Sequence, residues 1–380
     1  MLTRHYYEKA LDEGFDINAI VALLGPRQCG KTTLAQMYAK KHLEVHHFDL
    51  ENIRDHTALS NPMLALEDLE GLIVIDEIQL RPELFPALRV LVDKKKNQQF
   101  LILGSASKEL LQQSSQTLAG RITFVEMSPL GLYEVPDQLD SMWLTGGYPK
   151  AYLAKSSEAA FLWIEDYIAT FLERDIPNLG ISIAARTMRR FWSMLAHYHG
   201  NIFNASELGK SLGVAHTTAR HYLDILTGTF MVRELMPWHE NINKRQIKSP
   251  KIYFRDSGIY HHLMGIESQA SLRRHPKLGA SWEGMALEQI IRAYHVRPDK
   301  AYFWGVHNQA ELDLLLLHKG KRLGFEFKYS DSPTFTTSMR QSLELLELDK
   351  LTVVTPKARP SYLSQDVQVI DLVSALDEVR

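Results

Sequence analysis

A single cysteine, Cys29, is all the thiol this sequence has, so no disulfide framework can staple it, and a reducing compartment suits it. It also lacks any apolar run near the roughly 18 residues that a membrane-spanning helix needs, so no membrane partner is expected. Net charge is only −2 at pH 7 over 380 residues, which leaves no global field to draw nucleic acid; any basic footprint must be local. Internal repeats and low-complexity tracts are missing. The opening Met1-Leu2-Thr3-Arg4-His5-Tyr6-Tyr7 has no apolar core of a secretory signal. These absences lead to the expectation of a cytoplasmic globular chain of two or three domains.

What is present begins with Ala19-Ile20-Val21-Ala22-Leu23-Leu24, a short apolar run that ends at a glycine. Gly25-Pro26-Arg27-Gln28-Cys29-Gly30-Lys31-Thr32-Thr33 then spells G-x-x-x-x-G-K-[ST] ahead of a helical pattern. Gly25 and Gly30 permit backbone angles closed to other residues, so successive N–H groups can point at an anion. A helix starting near Lys31 adds its positive end. Lys31 is expected on the β- and γ-phosphates of a nucleotide and the Thr32 hydroxyl on Mg²⁺. Cys29 either fills a loop position or senses redox state.

Leu72-Ile73-Val74-Ile75-Asp76-Glu77 reads as a strand buried on both faces, as a parallel sheet requires. Asp76 stands where it can hold the Mg²⁺ shell, and Glu77 where it can polarise the attacking water as general base. Phe100 to Ser105 is a further buried strand, whose terminal Ser105 can sense the γ-phosphate or place the water. Arg121, just before the strand Ile122-Thr123-Phe124-Val125-Glu126, is either an arginine finger, within the chain or toward a neighbour, or a surface salt-bridge arginine.

Gly25-Pro26-Arg27-Gln28-Cys29-Gly30-Lys31-Thr32, Val74-Ile75-Asp76-Glu77-Ile78-Gln79, Leu103-Gly104-Ser105 and Leu118-Ala119-Gly120-Arg121 together resemble the prokaryotic AAA-type P-loop ATPases. Gly146-Gly147-Tyr148-Pro149 and Phe171-Leu172-Glu173-Arg174-Asp175-Ile176 fit the same pattern. Members of that family carry a winged helix and a nuclease-like C-terminal domain. The resemblance implies ATP rather than GTP.

Ser156 to Leu179 has apolar residues at helical spacing, and residues 136–185 read as a helical lid. Trp143, Tyr148 and Phe171 are expected in its core. Arg174 acts either at a nucleotide or subunit boundary or in an intrachain ion pair. Asn204 to Leu212, the turn Gly213-Val214 and Ala215 to Leu226 give a helix-turn-helix signal with Asn204 as cap. His216, Thr217, Arg220 and His221 are expected on its solvent face, where a second helix can enter a DNA groove. Lys244, Arg245, Lys248, Lys251 and Arg255 follow where a wing would track phosphates. Between Arg186 and Arg255 eleven Lys/Arg stand against Glu207, Asp224, Glu234 and Glu240, a local basic excess. The other reading is a winged helix used for packing between domains.

From about Leu272 the pattern becomes helix, three strands, helix, strand, which is similar to the core of restriction-endonuclease-like folds. Glu326 and Lys328 alternate onto one strand face, and with Asp313 they resemble the Asp…Glu-x-Lys signature of those nucleases. Glu283 matches the helix acid of part of that group. The resemblance implies Mg²⁺ on Asp313, Glu326 and Glu283, with Lys328 beside the water; the alternative is a degenerate fold kept for binding. His46-His47, His197, His199 and His261-His262 have no companions of metal-site type and read as structural.

The expected architecture is therefore α/β: a P-loop core at 1–135, a lid at 136–185, a winged helix at 186–268 and a nuclease-like domain at 269–380. The expected function is an ATP- and Mg²⁺-dependent ATPase whose nucleotide state controls engagement of DNA. The competing expectation is a nucleotide switch acting on protein partners, with an inactive nuclease-like domain. A homo-oligomer is compatible with both.

Overall fold

The computed structural model describes residues 2, 4–94, 97–107, 118–135, 138–239, 247–306 and 310–379. The chain packs as two compact units. The first comprises Met1–Pro129, Glu173–Ile183 and Asp224–Met231; the second comprises Leu130–Leu172, Ala184–Leu223 and Val232–Arg380.

The first unit is built on β1 (Ile20–Leu24), β2 (Val45–Asp49), β3 (Gly71–Asp76), β4 (Gln98–Gly104) and β5 (Ile122–Glu126). All neighbouring strands run parallel, in the order β2-β3-β4-β1-β5. Every residue of β1 is buried, because helices cover both faces of a parallel sheet. The two-residue alternation of a strand divides these side chains between two cores. Ile20, Ala22 and Leu24 join Ile73, Ile75, Phe100 and Ile102 on one side. Val21 and Leu23 join Leu72, Val74, Leu101 and Leu103 on the other. β4 lies between β1 and β3, so the P-loop after β1 and the carboxylates after β3 flank the end of β4.

The second unit carries β6 (Asn201–Ile202), β7 (Val232–Pro237), β8 (Lys251–Phe254), β9 (Ala301–Val306), β10 (Ala310–His318), β11 (Lys321–Phe327), β12 (Lys350–Thr355), β13 (Ser361–Ser364) and β14 (Val367–Asp371). They form one nine-stranded mixed sheet, β13-β14-β12-β11-β10-β9-β7-β8-β6. The helix Leu278–Ala293, β9 to β11, the helix Thr337–Leu346 and β12 appear in the expected order. The helix Ala205–Leu212 is capped by Asn204, whose side chain accepts from the amides of Ser206 and Glu207, and Gly213 at φ 79° ends it. The following helix runs His216–Gly228.

The expected boundary at residue 268 lies inside the second unit. β7 pairs in parallel with β9 (Met236 with Tyr302, Pro237 with Phe303), so the hairpin after the two helices shares a sheet with the C-terminal strands. A hairpin edge offers unpaired backbone groups, and a neighbouring strand satisfies them. Trp143, Tyr148 and Phe171 are buried in the second unit, where Tyr148 and Tyr167 share a hydroxyl hydrogen bond of 3.1 Å. Among the described residues no helix is long and apolar enough to cross a membrane.

Candidate functional site: the P-loop and a second charged cluster

The P-loop is shaped by what surrounds it. A Cβ on Gly25 would lie 2.1 Å from the Met127 carbonyl oxygen, because the amide of Met127 bonds the Leu24 carbonyl at the end of β1. Only glycine fits. Gly30 caps the helix Lys31–Ala39 at φ 104°, which opens that helix end toward the loop. Lys31 is buried, and its ammonium donates to the carbonyls of Gly25 at 2.8 Å and Pro26 at 2.9 Å. Cys29 is buried against Met127.

Thr32 Oγ1 donates to Asp76 Oδ2 at 2.7 Å, and the Glu77 amide donates to Asp76 Oδ1 at 2.9 Å. Burial pushes the Asp76 carboxyl up, against the pull of the Thr32 hydroxyl. Thr32 and Asp76 thus present hard oxygens side by side, the donor type Mg²⁺ prefers. Glu77 sits at φ 56°, which turns its side chain away from the strand direction. One of its oxygens accepts from Gln79 Nε2 and, at 3.3 Å, from the Ser105 hydroxyl. Gln79 Nε2 also reaches Ser105 Oγ at 2.9 Å. The structure therefore gathers Lys31 and Thr32 from the start of the helix after the P-loop with Asp76, Glu77 and Ser105 from the ends of β3 and β4. Pro26 is buried, Arg27 and Gly30 are partly covered, and Gln28 and Thr33 face solvent.

The second unit holds a separate charged cluster. Lys328 Nζ lies 2.6 Å from Glu326 and 3.7 Å from Asp313. Asp313 also accepts from the Phe327 amide at 3.0 Å. Lys251 is buried, pairs with Glu311 and stands 3.7 Å from Glu283, whose Oε1 accepts from the Tyr253 hydroxyl at 2.5 Å. Burial, then the charge of Asp313, raises Glu283 to about 7 and Glu326 to about 8; Lys251 and Lys328 oppose those rises.

Three family models match the chain: an AAA domain over residues 17–135, a domain of unknown function (DUF8612) over 136–270 and another (DUF4143) over 278–374. The uncharacterized protein Rv2008c of Mycobacterium tuberculosis is 50% identical over 353 residues, covering 92% of this chain and 79% of its own length. The uncharacterized protein Mb2031c of Mycobacterium bovis gives the same figures. The chain belongs to their family, and its amino-terminal part is a P-loop ATPase domain of the AAA type. A solved Walker-type ATPase of Pyrococcus abyssi aligns with 70% of this chain and 96% of its own, at 15% identity and a TM-score of 0.49.

In this AAA-domain protein some expected site residues lie elsewhere. Arg121 does not reach the P-loop of its own chain. It precedes Ile122, which pairs with Ile20 at the start of β1, whereas the loop follows Leu24 at the other end. The four intervening steps of strand put about 13 Å between them. Its guanidinium bonds Asp93 through Nε at 2.7 Å and Nη2 at 3.1 Å, the surface-pair arrangement. Glu283, Asp313 and Glu326 do not form the expected metal trio. Among the described residues no three His, Cys, Asp or Glu side chains converge to hold an ion, and ammonium groups of Lys251 and Lys328 stand against these carboxylates.

His216 and Thr217 are exposed on the second helix, as is His221. Arg220 is not a free cation there; two hydrogen bonds of 2.6 Å tie it to Glu234. Lys244 and Arg245 lie outside the described residues. Lys251, expected on a phosphate-tracking wing, is instead buried, because β8 is an interior strand of the sheet.

Sequence reasoning missed Arg27 as an ion-pair centre, Gln79 as a holder of Glu77, and Lys251 and Tyr253 as partners of Glu283. Only the i, i+2 spacing of Glu77 and Gln79 carried any sequence signal; the others are joined across long loops.

Proposed function

We propose that the chain hydrolyses ATP at the P-loop, with Glu77 as general base, and that nucleotide state governs how the helix-turn-helix region engages DNA. One observation carries the catalytic part. The Glu77 carboxylate is fixed by Gln79 and Ser105 directly beside the Thr32–Asp76 pair. A bound triphosphate would take over the loop amides and draw the Lys31 ammonium from the Gly25 and Pro26 carbonyls. Thr32 and Asp76 would hold Mg²⁺, which when bound neutralises charge on the phosphate oxygens. Glu77 would accept the proton of the attacking water, while the Ser105 hydroxyl orients what lies beside it. The expected result is that Lys31→Ala loses nucleotide affinity, and that Glu77→Gln binds MgATP but does not release phosphate. Normal turnover in Glu77→Gln removes it from this role.

The DNA part rests on the exposed His216, Thr217 and His221 and on the exposed cations Arg186, Arg190, Lys210 and Lys248, since Arg220, Arg233, Lys251 and Arg255 are already taken up by carboxylates. Such binding should weaken steeply with added salt, and Thr217→Glu should weaken it further. Salt-independent binding, or a Thr217→Glu variant with unchanged affinity, refutes the assignment. For the second unit the buried Lys251, which pairs with Glu311 and stands 3.7 Å from Glu283, favours an adaptor over a metal-dependent nuclease, because it neutralises the helix acid that would complete a metal shell, whereas Lys328 beside Asp313 and Glu326 suits either reading. Plasmid cleavage by the wild type with Mg²⁺ or Mn²⁺, lost in Asp313→Ala with Lys328→Ala, would overturn that preference.

A further inference from the structure

Arg27, inside the phosphate loop, does not end in solvent. Its Nη1 donates to Asp175 Oδ1, its Nη2 donates to Glu51 Oε1 at 2.5 Å, and the same nitrogen stands 3.6 Å from Glu77 Oε1. Arg174 adds a second cation, donating to Glu51 at 2.8 Å. Two arginines thus serve three carboxylates, drawn from the turn after β2, the turn after β3 and the segment Glu173–Ile183. That segment has an unusual place in the chain. It packs in the P-loop unit, whereas the residues on either side of it belong to the other unit. It begins in a π-helical turn, Phe171–Asp175, that ends the regular helix Ser157–Thr170.

We propose that Arg27 is a positioning residue that ties Glu77 and the 173–183 strap to the phosphate loop, so that nucleotide binding and the ordering of the strap are coupled. The planar guanidinium suits this task. It directs separate N–H groups at Asp175 and Glu51, which a lysine ammonium cannot do in one fixed plane. At 3.6 Å its pull on Glu77 is electrostatic, without a hydrogen bond, so it steers the carboxylate and leaves that oxygen able to accept a proton. When phosphates enter the loop, they compete for the same guanidinium. Asp175 then loses part of its counter-charge, and the strap feels the occupancy of a loop almost 150 positions away in sequence.

This inference rests on the hydrolysis reading for its kinetic part only. Asp175→Asn is the main variant, since Asp175 lies outside the phosphate loop and bonds it through Arg27, and Arg27→Ala risks misfolding. With the full chain, steady-state kinetics should show kcat down by about tenfold with KM for MgATP within about twofold. Asp175→Glu should restore most of the rate. In hydrogen exchange, MgADP and a non-hydrolysable MgATP analogue should change protection of 173–183 in the wild type, and Asp175→Asn should abolish that response while still binding nucleotide. If the wild type shows no turnover, the hydrolysis reading fails and the exchange data alone decide the coupling. A strap response that is absent in the wild type, or identical in wild type and Asp175→Asn, overturns the proposal. So does an unchanged kcat in an otherwise active Asp175→Asn.

Discussion

Glu288 gives the sharpest test of how the second unit is held together. Its carboxylate is buried and serves three arginines: Arg233, bonded through Nε and, at 3.1 Å, through Nη2; Arg292 at 3.6 Å; and Arg255 at 3.8 Å. Burial alone would raise its pKa, but the charges of Arg233 and Arg255 outweigh it and hold the group at about 2, against an ordinary value of 4.5. At about 1.4 kcal/mol per unit, that depression is worth roughly 3 kcal/mol at neutral pH. An independent route agrees: removing one partner of a buried ion pair typically costs about 3–5 kcal/mol. The folded-state pKa is the lower one, so the stabilisation is complete above 4.5 and fades as pH falls toward 2. Glu288→Gln should therefore lose roughly 3 kcal/mol at pH 7 in urea denaturation followed by tryptophan fluorescence. At pH 3.5 the gap to wild type should narrow to roughly 2 kcal/mol. A loss under about 1 kcal/mol at pH 7, or a gap that does not move with pH, refutes the reasoning.

Two buried histidines predict acid sensitivity at milder pH. His199 accepts from the Phe254 amide, and His261 bridges Leu144 and Ser281; burial first of all lowers them to about 3 and about 4. Both are neutral in the fold, so stability is full above 6.5 and declines by about 1.4 kcal/mol per pH unit for each as pH falls below that value; equal urea midpoints at pH 7 and pH 5 would contradict this. Gly25→Ala forces a methyl into the Met127 carbonyl, and calorimetry should show nucleotide affinity down at least about tenfold, whereas wild-type affinity would mean the loop tolerates the shift.

Much of the first unit was legible because its signals are local. A P-loop is written in consecutive residues, and the carboxylates of Asp76 and Glu77 close an unbroken apolar strand. Ser105 could be placed beside them because parallel strands bring their carboxyl ends to one edge. Asn204 and Gly213 bounded their helix for the same reason: capping is a matter of a few neighbouring amides.

What the amino-acid order determined alone was thus the set of pieces whose forces act within one turn or one strand: the phosphate loop, the buried strands, the capped helices and the alternation that puts Glu326 and Lys328 on one face. Tertiary structure decided the rest. It set Arg121 at the far end of the sheet, drew Arg220 to Glu234, buried Lys251 against Glu283 and Glu311, and made Arg27 the centre of three carboxylates. The reason is physical. A charge chooses its partner by distance through space, and periodicity along a chain is silent on which loops will meet.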